Sequence, residues 1–323
     1  MFLINISLGS VDIDLLDTIR ILAGSEVVKD SHQYIVLEYR LPKALSAVVV
    51  GCGLSISGLL MQTLFRNPLA GPYVLGLSSG GSLGVALLIM GSSLFGGSFA
   101  IMAQSKYAVI LSASLGSFLV LLLVVASLWR VRNTMALLII GLMMASFTSA
   151  IVSVLSYFTT ADNLQQYVFW SMGSLGRLNW DDLIIITGLL IIGVLVCVGL
   201  LKKLNAFLLG EDYAESMGVN TKKTRFLMIA ITGLLAGSIT AFAGPIAFIG
   251  LTVPHLARQL FNTGNHFVLL PAILLIGSLI MLLCETFSQL PGSAYMLPIN
   301  AVTSFIGAPV VIWLILKKQN LIF

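Results

Sequence analysis

Few side chains in this sequence have types and spacings that could do chemistry. The cysteines Cys52, Cys197 and Cys284 each stand alone in an apolar run, with no partner at metal-ligand or redox spacing. We interpret them as packing residues. We expect no catalytic residue, because the sequence shows no Ser/His or His/Glu constellation that an intramembrane enzyme would need. We also expect no metal site, because no Cys/His cluster occurs, and no cofactor bound by this chain.

Nucleotide chemistry is also not predicted for this chain. The phosphate-binding pattern G-x-x-x-x-G-K-[ST] does not occur anywhere in the sequence. Glycines do cluster, at Gly51, Gly53 and Gly58 and again from Gly76 to Gly84, but both sets lie in apolar stretches rather than in a strand-turn-helix unit. Any ATP that this protein depends on must therefore be bound, with its Mg²⁺, by another chain.

Two ionisable residues lie near the ends of apolar segments. His255 follows Pro254, and Glu285 lies in a later apolar run. Ionisable residues inside a membrane are costly and often functional, yet both lie close to an interface, so we favour a structural role for each. His32 and His266 are expected in loops.

The composition indicates which type of secondary structure positions these residues. The chain has 323 residues, is 58% hydrophobic and 9% charged, and has a mean hydropathy of +1.03, values that ordinary soluble domains do not approach. The sequence predicts an all-α polytopic membrane protein whose partner is the lipid bilayer. A net charge of +4 reports topology and does not indicate nucleic-acid binding.

Nine apolar segments are long enough or apolar enough to be predicted as membrane spans. We expect an outer-face segment over residues 1–39, with an amphipathic helix near Ile13 to Leu22, followed by a transmembrane domain over 40–318. Thr159 to Asp182, with Trp170 and Trp180, is predicted to be an interfacial loop. The nine predicted spans are Leu41–Leu64, Tyr73–Met90, Tyr107–Leu128, Ala136–Phe158, Leu183–Leu201, Phe226–Ala243, Ile246–Leu260, Phe267–Leu283 and Leu297–Leu316.

The first two spans predict a helical hairpin. Arg66-Asn67-Pro68 should end the first helix, because proline disfavours the helical conformation of the residue before it. In the second span Gly76, Gly80 and Gly84 recur every four residues, which places three residues without Cβ on one face and predicts close packing of another helix.

The orientation follows from the loop charges. Alternating the loops places eleven of the cations on one side and six on the other, so the richer side is cytoplasmic and residues 1–39 are outside. The longest polar segment, 202–225, then lies in the cytoplasm. From the residues alone, a solvated loop is the favoured interpretation of this segment.

Four strings, in order, resemble the permease subunits of bacterial ABC importers for iron-siderophore, haem and cobalamin, the FecCD family. The strings are SGLLMQTLFRNPLAGPYVLGLSSG, LGEDYAESMG, GPIAFIGLTVPHLAR and LPINAVTSFIGAPVVIWLI. The resemblance covers Gly9 to Lys318 and implies a multi-pass protein of the bacterial cytoplasmic membrane. Ten helices are usual in the family; either the true start lies upstream of Met1 or this chain has nine.

The resemblance implies two functional regions on the cytoplasmic side. It reinterprets segment 202–225 as two short coupling helices that seat in a groove of an ATPase, with Gly210 and Gly218 in the bounding turns. It also implies a cytoplasmic gate at the inner mouth of the pore. The residues it assigns to ATPase coupling are Leu209, Gly210, Glu211, Ala214 and Gly218, and those it assigns to the gate are Asn67, Leu69, Thr134 and Met135.

On the outer face, the resemblance implies that Arg40 and Lys43 meet acidic side chains of a substrate-binding protein. Without it, both would be interpreted as anchors to lipid headgroups. The sequence departs from the family pattern at Gln289, where arginine is common, and at Met296, where an acid is usual, and both departures weaken docking by charge.

Together these features predict the permease subunit of a binding-protein-dependent, ATP-driven importer. We expect a homodimer with its pore on the two-fold axis, joined by two ATPase chains. Iron-siderophore is the expected cargo, with haem or cobalamin as alternatives. A secondary transporter driven by an ion gradient is the rival class, but it would usually carry carboxylates near the middle of the membrane, where these spans have none.

Overall fold

The computed structural model describes residues 1–24, 30–92, 105–128, 130–131, 134–289 and 295–317. Lys29, Arg132 and Lys318, which contribute to the charge asymmetry, lie outside these ranges. Within them, every extended regular element is a helix. The helices are α1 (Phe2–Ser7), α2 (Leu15–Leu22), α3 (Asp30–Phe65), α4 (Leu77–Ile89), α5 (Lys106–Leu128), α6 (Thr134–Phe158), α7 (Ala161–Ser171), α8 (Trp180–Leu208), α9 (Glu211–Ser216), α10 (Thr221–Ala243), α11 (Ile249–Phe261), α12 (His266–Ser288) and α13 (Ile299–Lys317).

Helix α3 is the centre of the bundle. It has 36 residues, and 89% of its most apolar 18-residue stretch is buried inside the protein. It packs against α8, α10, α11 and α12. Gly51 and Gly58 allow this close packing, because a Cβ at either position would collide with the backbone of Gly277 or Gly250 on the facing helices. These glycines therefore serve helix packing.

The first membrane helix begins earlier than Leu41, so the predicted boundary between residues 39 and 40 falls inside α3. A π-helical stretch, Ile35–Arg40, precedes Pro42. In a regular α-helix the proline ring would meet the carbonyl of Glu38, and the wider π turns avoid that clash. The amphipathic helix expected near Ile13 to Leu22 is confirmed as α2.

Each of the nine predicted spans overlaps a helix, but they differ in length. Six helices in the described part of the chain, α3, α5, α6, α8, α10 and α12, have the length and composition to cross a membrane. Helices α4 and α11 have 13 residues each, about 20 Å, and are too short to cross a hydrocarbon core of about 30 Å alone. The α-helical parts of the predicted spans Tyr73–Met90 and Ile246–Leu260 are therefore shorter than the spans themselves.

The second span is short because its start is not α-helical. Residues Pro72–Leu75 form a 3-10 turn, and Gly76, with a φ of 75°, separates it from α4. The expected close packing along the glycine face is confirmed. A Cβ at Gly80 or Gly84 would collide with backbone carbonyls of Gly116 or Ser112 on α5.

The interfacial loop predicted over Thr159 to Asp182 contains a helix, α7. Trp170 at its end is buried in a small apolar cluster with Val85, Ile89 and Ala241, so it is not part of an aromatic belt. Trp180 donates its indole N–H to the carbonyl of Leu37 at 3.2 Å. Both tryptophans therefore help to hold neighbouring elements of the bundle together.

Candidate functional site

Segment 202–225, which is predicted to be cytoplasmic, is mostly helical. Helix α8 continues to Leu208, and α10 begins at Thr221. Between them lies the six-residue helix α9. The prediction of two short helices is therefore wrong in number, since its first part extends a long membrane helix, and the solvated-loop interpretation is wrong as well.

Helix α9 is held by tight turns at both ends. Gly210 precedes it with a φ of 111°, and Gly218 follows it with a φ of 82°, conformations that residues with a Cβ rarely adopt. At the C-terminal end, the N–H groups of Gly218 and Val219 donate to the carbonyls of Glu215 and Ala214 at 2.9 and 3.0 Å, which is a Schellman motif. The predicted glycine turns are confirmed.

The connections on either side of α9 are short. Two residues join it to α8 and four join it to α10, and the Asn220 side chain caps α10 by accepting from the N–H of Lys223 at 2.9 Å. Helix α9 is therefore linked to two membrane helices with little intervening chain.

An ion pair fastens α9 to α10. A guanidinium nitrogen of Arg225 lies 3.2 Å from the Glu211 carboxylate, and the Arg225 side chain is buried. Burial is the largest influence on Glu211 and raises the pKa of its carboxyl; Arg225 lowers that pKa, and Asp212 and Glu215 raise it. Sequence reasoning selected Glu211 but missed Arg225, because the two are distant in sequence.

One face of α9 and its flanks presents apolar side chains to the outside. Leu209, Tyr213 and Met217 are 61%, 52% and 60% exposed, whereas Ala214 is fully buried on the opposite face. Their spacing of four residues places the three exposed side chains on one side. The four-residue spacing is visible in the sequence and could have indicated this face, but sequence reasoning missed Tyr213 and Met217 as site residues.

The predicted gate loop lies beside this segment. Arg66 ends α3 in a left-handed conformation, and a Cβ at Gly210 would lie 3.4 Å from its guanidinium. The Asn67 side chain accepts from the backbone N–H of Leu69 at 2.9 Å, which fixes the turn, and Leu69 is 43% exposed. The Arg66 side chain thus reaches the turn that precedes α9.

The other two gate residues lie at the start of α6. Thr134 is its first residue, and Met135 follows with an exposed side chain. Helix α6 packs on the 3-10 turn and on α4, with Gly141 against the backbone of Val74 and Leu75. Two of the predicted gate residues therefore lie in the turn after Arg66, which we call the Arg66 corner, and two lie at the start of α6. Helix α6 contacts the 3-10 turn and α4, which come next in the chain after this corner.

Buried polar side chains tie the C-terminal end of α3 to its neighbours. Arg258 on α11 donates to the Gln62 side-chain oxygen at 2.8 Å, and Gln62 donates to the carbonyl of Leu251 at 2.9 Å. His266 lies 2.8 Å from both Thr63 and Asn205 through its two ring nitrogens. His266 is fully buried at the start of α12, and His32 lies in α3, so the prediction that both are loop residues is wrong.

At the end of the bundle that is predicted to face outward, the cations predicted to dock a binding protein have internal partners. Arg40 donates to the carbonyls of Ile6 and Ser7, at 3.0 and 2.7 Å, and to that of Val11. Lys43 lies 2.6 Å from the Glu285 carboxylate. Both cations are 9% exposed.

The departures from the family pattern surround this outer pair. Gln289, one turn beyond Glu285, is buried, and Met296 is 62% exposed, with its sulfur 4.0 Å from the Lys43 amine. Lys106 forms a second outer ion pair, with the buried Asp182. Among the residues that the structure describes, there is no group of three or more His, Cys, Asp or Glu side chains that could hold a metal ion. Cys52, Cys197 and Cys284 are free and buried.

Comparisons with known proteins agree with this arrangement. The model of the FecCD transport family matches residues 1–317. The hemin transport system permease protein HmuU of Yersinia pestis is 33% identical over 320 residues, which are 99% of this chain and 94% of the relative. The vitamin B12 import system permease protein BtuC of Klebsiella pneumoniae is 35% identical over 289 residues, 89% of this chain and 84% of the relative.

A solved structure shares the whole architecture. It is described as an inward-facing conformation of a metal-chelate type ABC transporter, and it superposes with a TM-score of 0.85 at 31% identity, covering 98% of this chain and 95% of the other. The helices and these matches identify a multi-pass inner-membrane permease of the ABC importer type. The chain belongs to the FecCD transport family.

Proposed function

We propose that this chain is the pore-forming subunit of an importer that is driven by a separate ATPase and loaded by a substrate-binding protein. The exposed apolar face at α9 carries the proposal. Leu209, Tyr213 and Met217 form a small outward surface on a helix that glycine turns and the Glu211–Arg225 pair hold in place. Such a surface suits docking into a groove of a partner.

The ATPase chains would supply all nucleotide chemistry. They bind ATP and Mg²⁺, and their closure pushes on α9, which passes the movement to α8 and α10 through its short connections. Glu211 is a positioning residue in this scheme, since it orients α9 against α10. Gly210, Gly218 and the buried Ala214 set the shape of the segment.

The gate would open at the Arg66 corner. The contact between Arg66 and the region of Gly210 gives movement of α9 a route to Asn67 and Leu69. Met135 is 56% exposed at the start of α6, and Leu69 on the corner is similarly open. Small polar and apolar groups can close around a bulky cargo and release it without strong binding.

The cargo would be a bulky chelate, with an iron-siderophore complex as the first candidate. Haem and cobalamin are equally supported, since one similar permease is named for hemin and another for vitamin B12. A titration of the partner binding protein with an iron-siderophore, haem and cobalamin separates the three.

A loaded binding protein would dock at the outer end near Arg40 and Lys43. Their burial and internal partners count against free charges as the means of docking. The docking role of these two residues stays a prediction. Replacing Arg40 by glutamine and measuring binding-protein affinity tests it.

We also propose a homodimer with the pore between the subunits. Only 17% of the most apolar 18-residue stretch of α6 is buried within the chain, and Phe305 on α13 is 84% exposed. Both helices therefore offer apolar faces to a second copy of the chain. Mass measurement of the detergent-solubilised protein would give the stoichiometry, and a monomer would contradict this part of the proposal.

Reconstitution in liposomes tests the function as a whole. Uptake should require ATP inside, both ATPase chains and the binding protein, and Glu211→Ala should reduce it. Uptake driven by a proton or sodium gradient without any ATPase chain would instead support a secondary transporter. In the described spans the carboxylates of Asp182 and Glu285 are already paired with lysines, which disfavours that alternative.

A further inference from the structure

An apolar groove lies on the side of the bundle, and none of the residues assigned to ATPase coupling or to the gate lines it. Its volume is about 650 Å³. Helix α10 forms the floor, with Ala230 in it; α5 forms one wall through Phe118 and Leu121, and α8 forms the other through Ile192 and Val196.

The groove exists because of the way its three helices pack. Helices α5 and α8 both pack on α10 but have little contact with each other. The floor also carries Gly233 and Gly237, which leave the space between the walls unfilled. Long side chains of α5 and α8 therefore stand on either side of a surface of small residues.

The groove has the length and chemistry of a site for one hydrocarbon chain. From Leu227 to Phe242, both of which line it, α10 rises about 22 Å over fifteen residue steps, more than half of a hydrocarbon core of about 30 Å. Of the three serines in the lining, Ser114, Ser117 and Ser238, the last two already donate to the carbonyls of Leu77 and Leu235. A bound molecule would meet an almost wholly apolar surface.

The cytoplasmic end of the groove is positively charged. Lys223 lies four residues before Leu227, on the same face of α10, and Lys203 lies seven residues after Val196, on the same face of α8. Neither lysine forms an ion pair with a residue that the structure describes. Glu211, the acid of α9 beside α10, is already paired with Arg225.

We propose that this groove is a binding site for an anionic phospholipid of the cytoplasmic leaflet. One acyl chain lies along α10 between α5 and α8, and Lys203 and Lys223 bind the phosphate headgroup. Lysines at the ends of membrane helices reach the headgroup region, and basic sites between helices on the cytoplasmic side recognise anionic lipids. The bound lipid would bridge α8 and α10, the two helices that α9 joins.

Native mass spectrometry of the purified full chain, titrated with phosphatidylglycerol or phosphatidylcholine, tests the proposal. The wild type should hold one phosphatidylglycerol more tightly than phosphatidylcholine. Lys203→Gln with Lys223→Gln should weaken phosphatidylglycerol binding about twenty-fivefold, at about fivefold for each lysine, and weaken binding of the zwitterionic phosphatidylcholine much less.

The neighbouring lysines provide a matched control. Lys202→Gln with Lys222→Gln removes the same charge from other helix faces and should leave phosphatidylglycerol binding near the wild-type value. An equal loss in both double variants would overturn the site in favour of diffuse surface charge, and no loss in either would overturn it as well.

A third variant tests the apolar part of the site. Ala230→Phe fills the floor and should reduce binding of both lipids, while the helix content and monodispersity of the protein stay unchanged. If Ala230→Phe changed the number of subunits and left lipid binding intact, the groove would be a contact between copies of the chain, and the proposal would fail.

Discussion

The two ends of the membrane bundle use charge in opposite ways. At the outer end, Arg40 and Lys43 are turned inward, where they bind carbonyls of the N-terminal segment and the carboxylate of Glu285. At the cytoplasmic end, the Glu211–Arg225 pair lies at the base of a helix that presents apolar side chains outward.

This difference shows that a charged residue near a membrane surface does not by itself mark a docking site. The buried outer cations hold the chain together, because a charge inside a protein must be paired. The cytoplasmic end offers an exposed apolar surface on a stiff support, which suits transmission of force from a partner. The predictions below separate these two roles.

The largest expected effect is on the outer pair. Glu285→Ala leaves Lys43 buried without its carboxylate and should destabilise the protein by about 3–5 kcal/mol. Replacing both residues by apolar ones, with Lys43→Met and Glu285→Leu, should recover most of that loss. Chemical unfolding of the purified protein in detergent measures both.

A control for the outer pair lies on α2. Asp17→Asn breaks the exposed Arg20–Asp17 pair, whose atoms are 3.2 Å apart, and should hardly move the unfolding midpoint. If Glu285→Ala behaved like Asp17→Asn, the outer charges would not be structural.

The turn before α9 should be the next most sensitive position. Gly210→Ala forces a side chain into a backbone with a φ of 111°, at a cost of about 1–3 kcal/mol, and should displace α9 and lower ATP-driven uptake. Gly199→Ala on α8 is the matched control, because nothing lies within 4 Å of the added Cβ. Equal uptake by the two variants would show that the position of α9 does not matter.

The apolar face at α9 should contribute to ATPase binding. Tyr213→Ala and Met217→Ala each remove an exposed apolar side chain and should weaken binding of the ATPase chains about tenfold, or about 1.4 kcal/mol. Ser216→Ala, on the same short helix, should leave the affinity unchanged. The measurement is ATPase affinity for the permease in nanodiscs, and unaltered affinity in both apolar variants would move the interface elsewhere.

The smallest effect is a dependence on pH. The pKa of Glu211 is raised above its usual value near 4.5, mainly by burial, so the unfolded state releases its proton first as the pH rises. The contribution of this residue to stability is therefore greatest below the usual value and is lost as the pH rises through the raised pKa. Hydrogen exchange at α9 should become faster over that range in the wild type and less so in Glu211→Gln.

Much of the fold could be predicted because long apolar runs between charges define membrane helices with little help from tertiary contacts. Long segments such as Tyr107–Leu128 and Ala136–Phe158 match helices closely. The expectation failed where packing decides the outcome. Gly76 interrupts the second span. Helix α3 starts at Asp30 because a π-helical stretch, Ile35–Arg40, continues it before Pro42, and the hydropathy pattern does not predict that stretch.

The candidate site was predictable only where residue type alone determines the local conformation. Gly210 and Gly218 mark turns locally, so their conformation could be inferred from their type. The burial of Trp170, the Arg225 partner of Glu211 and the contacts of His266 involve residues far apart in sequence, and only the folded chain shows them.

Site-specific photo-crosslinking tests the central claim, that α9 is the seat of an ATPase, most directly. A crosslinking amino acid is placed at position 213, or at position 39 as an outer-face control, since Tyr213 and Tyr39 are similarly exposed, at 52% and 60%. In membranes that also contain the ATPase chains, position 213 should give a permease–ATPase product and position 39 none. A product from position 39, or none from position 213 while uptake still proceeds, would contradict the account.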